Sequence, residues 1–256
     1  PAKLHKFDIV DDRKSIAVEC KCYKWTETGN VPSAKMGFCN EAAFYLSFLP
    51  DTYAKYIVML HGNTAANLDL RAAIEQHLRS GAEITAICTE STPDYRHHRY
   101  IADPDGFARR IVFNQTEAGE GVASLEAYII SKDLLVGMMD ACAANSHYHF
   151  HRDAIAEYLA AGGKINVYLH RGYGKRIMNT EAYFRTGMDM LRPENRAELF
   201  PPERPVRSKS HADVSTYYGE NSVCRNSLVA DGCLLEGEAE NCVLFSDVRV
   251  SRGAKL

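Results

Sequence analysis

The sequence predicts an α/β protein with an open sheet, followed by a short stretch of stacked coils. Strand-like and helix-like segments alternate from about residue 56 to residue 199, which is typical of an open α/β sheet. After a proline-rich stretch at 200–205, apolar residues recur about every six positions, and this spacing indicates a β-helix. A composition of 46% hydrophobic and 25% charged residues is that of a soluble globular protein.

Bulk charge and cysteine content exclude several classes of protein. The formal charge of -3 gives no basic excess that would attract nucleic acid or anionic lipid. The eight cysteines lack zinc-site spacing, so we expect free thiols in a reducing compartment. The apolar stretches are too short to span a bilayer, and no signal-peptide pattern opens the chain. We therefore expect a cytoplasmic protein.

Residues 1–55 are predicted to form a strand hairpin followed by a helix. The strands are the apolar runs at 7–10 and 15–21, which a polar turn joins. Apolar side chains then follow at helical spacing within residues 33–48. This segment is treated as a unit of uncertain origin.

Residues 56–199 are predicted to form the α/β domain. A strand at 56–60, a helix from Leu68 to Ser80 that ends at Gly81, and a strand at 83–88 predict a parallel βαβ unit. The remaining elements are strands at 108–113, 124–130 and 164–170, and helices at 132–144, 152–161 and 180–191.

Residues 200–216 have the composition of a linker, and residues 217–256 carry the coil pattern. The periodic apolar positions are Val223, Val229, Leu235, Val243 and Val248, with Gly232, Gly237 and Gly253 at expected corners. In a β-helix each coil buries its apolar face against the next one. A plain oligomerisation module built on these coils is one alternative for the function of the chain.

Several separate motifs occur in the order found in one enzyme family. They are Asn67-Leu68-Asp69-Leu70, Gly81-Ala82-Glu83-Ile84-Thr85, Asp189-Met190-Leu191, Tyr217-Tyr218-Gly219-Glu220-Asn221, and the run from Asn226 to Cys233. From about residue 56 the chain resembles bacterial glucose-1-phosphate adenylyltransferase (ADP-glucose pyrophosphorylase), and especially its GlgD-type, non-catalytic subunits. The resemblance implies a partial Rossmann-like nucleotidyltransferase domain followed by a truncated left-handed β-helix.

The positions that match the family's metal ligands are substituted. Active members transfer an adenylyl group from ATP to glucose 1-phosphate with Mg²⁺, and this chemistry depends on carboxylates that hold the metal. The resemblance places Asn63 and Arg176 at the two acidic positions. An amide offers a single neutral carbonyl oxygen, and a guanidinium reverses the charge, so neither replaces a carboxylate.

The sugar-phosphate positions are degenerate as well. Gln115 lies in the segment that matches the family's Phe-x-Glu-Lys-Pro motif, whose lysine is missing here. Ser124 is what remains of the Glu-x-Ser-Met-Gly motif, now Val122-Ala123-Ser124-Leu125-Glu126, and the glycine-rich ATP loop is absent from the sequence. The resemblance thus implies a regulatory, catalytically impaired subunit in glycogen biosynthesis, which pairs with a catalytic subunit and requires no cofactor of its own.

A regulatory subunit of this family would respond to phosphorylated metabolites bound between its two domains. Arg204, Arg207 and Lys209 lie in the linker and are the cations that we expect to contact such an effector.

The hairpin suggests a different function. With its turn centred between Asp12 and Arg13, Asp8 is expected opposite Ala17, so that Asp8, Glu19 and Lys21 converge. An Asp followed by Glu-x-Lys on a strand resembles the PD-(D/E)xK nuclease superfamily. That resemblance implies Mg²⁺ bound by Asp8 and Glu19, a water activated by Lys21, and a nucleic acid substrate.

Alternating histidines at 147, 149 and 151 are a further candidate metal site, since alternate residues of a strand share one face. The run precedes a predicted helix, so strand geometry is not expected there. The sequence favours structural roles for these histidines.

Overall fold

The computed structural model describes residues 6–10, 13, 15–23, 41–90, 97–115, 119–147, 149–206 and 213–256. They divide into two units, one of residues 1–64 and 68–174 and the other of residues 65–67 and 175–256. The domain boundaries predicted from the sequence, after residues 55, 199 and 216, stay predictions. Among the described helices, none combines the length and apolar composition that crossing a membrane requires.

The strands up to residue 176 have these bounds: β1 Ile9–Val10, β2 Ile16–Tyr23, β3 Ala54–His61, β4 Thr64–Ala66, β5 Ile84–Thr89, β6 His97–Ala102, β7 Ala108–Gln115, β8 Val122–Ser131, β9 Ile165–His170 and β10 Gly174–Arg176. The helices are α1 at residues 41–47, α2 Leu70–Ser80, α3 Lys132–Ala144, α4 Ala156–Ala160, α5 Thr180–Asp189 and α6 Pro193–Leu199. A π-helical turn, Phe150–Ile155, leads directly into α4. The predicted α/β class is confirmed.

One sheet in the order β1-β2-β3-β8-β5-β9 organises the first unit, and β6 joins it by pairing with β7 and β8. The predicted βαβ unit differs in one respect, because β8 lies between β3 and β5 and runs antiparallel to both. The physical reason is burial. Eight of the ten residues of β8 are buried, whereas the first residue of β3, Ala54, is exposed. A strand buried on both faces is stable in the middle of a sheet.

The N-terminal hairpin belongs to this same sheet, since β2 runs parallel to β3 with Ile16 opposite Ala54 and Tyr23 opposite His61. The predicted hairpin register is wrong by two residues. Ile9 pairs with Val18, which places Asp8 opposite Glu19 rather than Ala17. A shift of two keeps every side chain on its face of the sheet, because side chains alternate with a period of two, so the sequence pattern alone did not distinguish the registers.

Helix α2 forms where the sequence predicts it, but it begins at Leu70 rather than at Leu68. The Asp69 carboxylate accepts a hydrogen bond from the Ala72 N–H at 3.1 Å and caps the first turn. Gly81 ends the helix in the left-handed conformation, with φ 65°. Ile74 and His77 lie on the buried face, which packs towards the sheet.

The predicted helix at 152–161 begins earlier and differently, as a π-helical turn that precedes α4. The His149 N–H donates to the Asp153 carboxylate at 2.9 Å, and the Asp153 N–H donates to the His149 carbonyl at 2.7 Å. A π turn spaces its side chains differently around the helix axis than an α-helix does, and such turns are frequent at functional sites. His151 lies in this turn.

The second unit begins with the pairing of β10 and β4 and ends in short parallel strands. These strands are β11 Tyr217–Tyr218, β12 Val223–Arg225, β13 Leu228–Val229, β14 Leu234–Leu235, β15 Glu238–Glu240, β16 Val243–Leu244 and β17 Arg249–Val250. They stack in three columns, β11-β14-β17, β12-β15 and β13-β16, all with parallel pairing. Buried Cys233, Leu235, Ala239 and Val250 form the core between them.

The chain turns between columns at residues with positive φ. Asn226 and Asn241 adopt φ 42° and 54° and lie one coil apart. The Asn226 side-chain amide donates to the side-chain Oδ1 of Asn241 at 2.6 Å, which joins the two corners. Asparagine tolerates this conformation better than most residues with a side chain, so the corners are encoded locally.

Candidate functional site

The residues that the sequence resemblance singled out lie in or next to strands. Asn63 lies in the turn between β3 and β4, and Ser124 is buried on β8. The Ser124 hydroxyl accepts a hydrogen bond from the Glu126 N–H at 2.9 Å. Gln115 is the last residue of β7, and its side chain lies outside the described part of the structure.

Arg176 ends β10 in the second unit and is 3% exposed. A buried guanidinium keeps its positive charge and cannot act as a metal ligand. An amide at Asn63 and a guanidinium at Arg176 therefore do not fit the Mg²⁺ that the family resemblance implies.

The proposed nuclease residues have unequal surroundings. Asp8 is exposed, and its carboxylate accepts a hydrogen bond from the Cys20 N–H at 2.7 Å. Glu19 is 3% exposed, and the side chain of Lys21 lies outside the described residues. Within the described residues, no group of three or more His, Cys, Asp or Glu side chains has metal-site geometry.

Of the three linker cations, the structure describes Arg204, whereas Arg207 and Lys209 fall outside the described residues. The Arg204 Nε donates to the Asn67 Oδ1 at 3.1 Å, and the Asn67 amide donates to the Arg204 carbonyl at 2.8 Å. Asn67 also donates to the Leu199 carbonyl at 2.9 Å. Arg204 thus fixes its own loop, and effector contact by the three cations stays a prediction.

A cluster of three histidines around one carboxylate lies in the first unit, and we call it the His–Glu cluster. Its members are His61, His98, Glu126 and His151. The Glu126 carboxylate lies 2.9 Å from His151 Nε2, 3.6 Å from His98 Nε2 and 3.7 Å from His61 Nε2. The side chain of Glu126 is 7% exposed, so the imidazoles replace much of the water that would solvate it.

Local backbone geometry directs Glu126 into this cluster. The pairing of β8 with β5 skips from Ala127 opposite Ile87 to Ser124 opposite Cys88, which leaves a bulge at Leu125 and Glu126. Glu126 adopts φ 51° there. The left-handed conformation costs a residue with a side chain about 1–2 kcal/mol, and bulges of this kind usually carry glycine. The surrounding contacts must outweigh that cost.

Two buried tyrosines extend the cluster. The Tyr128 hydroxyl lies 3.0 Å from His151 Nδ1 and 3.1 Å from the Tyr100 hydroxyl. Burial raises the pKa of both tyrosines well above 10, so both hydroxyls stay protonated at neutral pH. The Tyr128 contact fixes the orientation of the His151 ring, because it engages the nitrogen that faces away from Glu126.

Sequence reasoning missed His61, His98 and Glu126 as parts of one site, and it interpreted His151 as structural. They come from β3, β6, β8 and the π turn, which are far apart in the chain. One signal was visible: Glu126 is the single charged residue in the strand Val122–Ser131. A lone carboxylate in an otherwise apolar strand predicts a buried charge with partners.

Comparison with known proteins agrees with the motifs. The chain is 26% identical to the glycogen biosynthesis protein GlgD of Bacillus subtilis over 87% of its own length and 55% of that protein. The predicted resemblance to GlgD-type proteins is confirmed. The chain is also 25% identical to the glucose-1-phosphate adenylyltransferase of Bacillus cytotoxicus, over 82% of the chain and 57% of that enzyme. The corresponding enzyme of Clostridium perfringens strain SM101 is 25% identical to the chain, over 85% of the chain and 57% of that enzyme.

The chain spans little more than half the length of these relatives. The match with GlgD extends over 226 residues, whereas residues 56–256 number 201, so the similarity begins before residue 56. No protein-family model matches the chain. The nuclease alternative gains no support from these similarities.

Proposed function

We propose that this chain is part of a regulatory, catalytically impaired subunit of the GlgD type, which acts in glycogen biosynthesis. The observation that carries the proposal is the similarity to GlgD together with an amide at Asn63 and a buried guanidinium at Arg176. Neither residue supplies the negative charge that holds a divalent cation. The subunit would therefore act through a partner.

The fold supports this role at the level of architecture. In the proposal, residues 56–199 form a Rossmann-like nucleotidyltransferase domain. The parallel columns β11-β14-β17, β12-β15 and β13-β16 are the first coils of a left-handed β-helix. The partner is a catalytic glucose-1-phosphate adenylyltransferase subunit in a cytoplasmic hetero-oligomer. Arg204, Arg207 and Lys209 remain the residues that we propose for contact with a phosphorylated effector.

Co-expression with a catalytic glucose-1-phosphate adenylyltransferase tests the proposal. Co-purification measures association, and formation of ADP-glucose from ATP and glucose 1-phosphate measures activity. We expect the chain alone to form no ADP-glucose and to change the kcat/KM or the effector response of the catalytic subunit. Absence of association, or association without a kinetic effect, would contradict the proposal.

A single variant separates a regulatory subunit from a weakened enzyme. Asn63→Asp restores one carboxylate while Arg176 keeps its charge, so we expect the variant to remain inactive alone. ADP-glucose formation by Asn63→Asp would show that the site needs one acid to work, and the chain would then be a weakened enzyme rather than a regulatory subunit.

A further inference from the structure

The His–Glu cluster has the chemistry of an anion receptor. Three imidazole nitrogens from three separate elements lie within 3.7 Å of the oxygens of one carboxylate. A buried carboxylate is unfavourable unless hydrogen-bond donors or positive charge compensate it. An imidazole donates one N–H when neutral and two when protonated, and a protonated ring also supplies the compensating charge.

The arrangement differs from a metal centre. The Glu126 carboxylate oxygens are the common point of contact for His61, His98 and His151. Metal-site geometry is missing among the described His, Cys, Asp and Glu groups. The imidazole rings therefore contact the carboxylate directly.

The backbone conformation of Glu126 is unfavourable for a residue with a side chain. Glu126 occupies the bulge of β8 with φ 51°, a conformation that glycine adopts without cost. The neighbouring Ser124 hydroxyl and the Glu126 N–H hold the bulge through their 2.9 Å hydrogen bond, which does not involve the Glu126 carboxylate. The bulge can therefore persist without that carboxylate.

We propose that His61, His98 and His151 form a binding site for a small carboxylate, and that the chain fills this site with its own Glu126. The tethered carboxylate acts as an internal ligand, and removing it opens the site to a free one. Tyr128 supports the site by fixing the His151 ring. This proposal does not depend on the role in glycogen biosynthesis.

Glu126→Gly is the decisive variant, since it removes the carboxylate and suits the left-handed backbone. We expect its thermal midpoint to fall below that of the wild type in chloride. Adding acetate at equal ionic strength should raise the midpoint, with a Kd on the order of 1 mM for so small a ligand. The wild-type midpoint should not respond, because Glu126 occupies the site.

Matched second substitutions in the Glu126→Gly variant test whether His151 binds the added acetate. Glu126→Gly with His151→Ala should lose the response to acetate, whereas Glu126→Gly with His149→Ala should keep it, because His149 is exposed and lies two residues away. A folded Glu126→Gly protein that ignores acetate would overturn the proposal. An equal acetate response in wild type and variant would do the same.

Three further measurements cover the remaining outcomes. If Glu126→Gly does not fold in chloride, acetate during refolding should restore folding, and failure to do so refutes the proposal. Glu126→Gln keeps the size and the backbone strain but removes the charge, so it should be less stable than the wild type. A wild-type midpoint that rises with Zn²⁺ and loses this rise in His151→Ala would replace the anion site with a metal site.

Discussion

The Glu126 carboxylate and His151 Nε2 are 2.9 Å apart, the shortest of the carboxylate–imidazole distances in the His–Glu cluster. The Tyr128 hydroxyl engages the other nitrogen of the same ring at 3.0 Å. His151 thus connects a strained strand bulge to a buried tyrosine pair. Its π-helical turn is the element that brings it there.

Truncation of His151 should be strongly destabilising. His151→Ala removes the nearest partner of a buried carboxylate and leaves the charge less compensated. We expect a loss of about 3 kcal/mol in the free energy of unfolding, measured by urea denaturation. His149→Ala in the same segment should change the free energy by less than about 0.5 kcal/mol. Equal effects of the two substitutions would contradict a special role for His151.

The buried His77 should make the protein sensitive to acid. Burial lowers the pKa of His77 from 6.5 to about 4, and its Nδ1 lies 2.8 Å from the Thr85 hydroxyl. As pH falls, His77 therefore becomes protonated in the unfolded chain before it does so in the folded protein. The contribution of neutral His77 to stability is complete above about pH 6.5 and is lost as pH falls towards about 4.

The variant His77→Gln isolates that contribution. It keeps a polar group near Thr85 but cannot titrate in this range. We expect the free energy of unfolding of the variant to fall less steeply than that of the wild type between pH 6.5 and pH 4. Urea denaturation across this range measures both slopes, and identical slopes would show that His77 does not contribute.

The coils of the second unit should not tolerate a side chain at Gly237. A Cβ there would lie 2.5 Å from the carbonyl oxygens of Ser251 and Ala254, which are backbone atoms of the next coil. Gly237→Ala should therefore separate the two coils and cost more than about 2 kcal/mol. Gly187→Ala is the control, because nothing lies within 4 Å of its Cβ and alanine favours its helix α5. A harmless Gly237→Ala would contradict this packing.

The cap of helix α2 should contribute modestly. Asp69→Ala removes the carboxylate that accepts the Ala72 N–H, and we expect a loss of about 1 kcal/mol. Asp69→Asn keeps an acceptor oxygen and should retain most of the stability. Thermal unfolding of both variants measures the difference, and equal losses would indicate that charge rather than the cap is responsible.

Much of the secondary structure followed from local patterns. Helix α3 was predicted with its observed bounds, and Gly81 was predicted to end α2, because amphipathic spacing and helix caps act within a few residues. Strand β6 was not predicted, since its histidines and arginine give it no apolar alternation. The pairing partners of the strands could not be predicted from the sequence either, and the position of β8 between β3 and β5 is the clearest case.

The sequence by itself determined the α/β class, the coil pattern after residue 217 and the resemblance to GlgD-type proteins, since periodicity and motifs are properties of the linear chain. The tertiary structure decided the hairpin register, the bulge at Glu126 and the meeting of His61, His98 and His151 around it. These features depend on contacts between residues far apart in sequence. Such contacts form only when the sheet brings its strands together, so no local pattern encodes them.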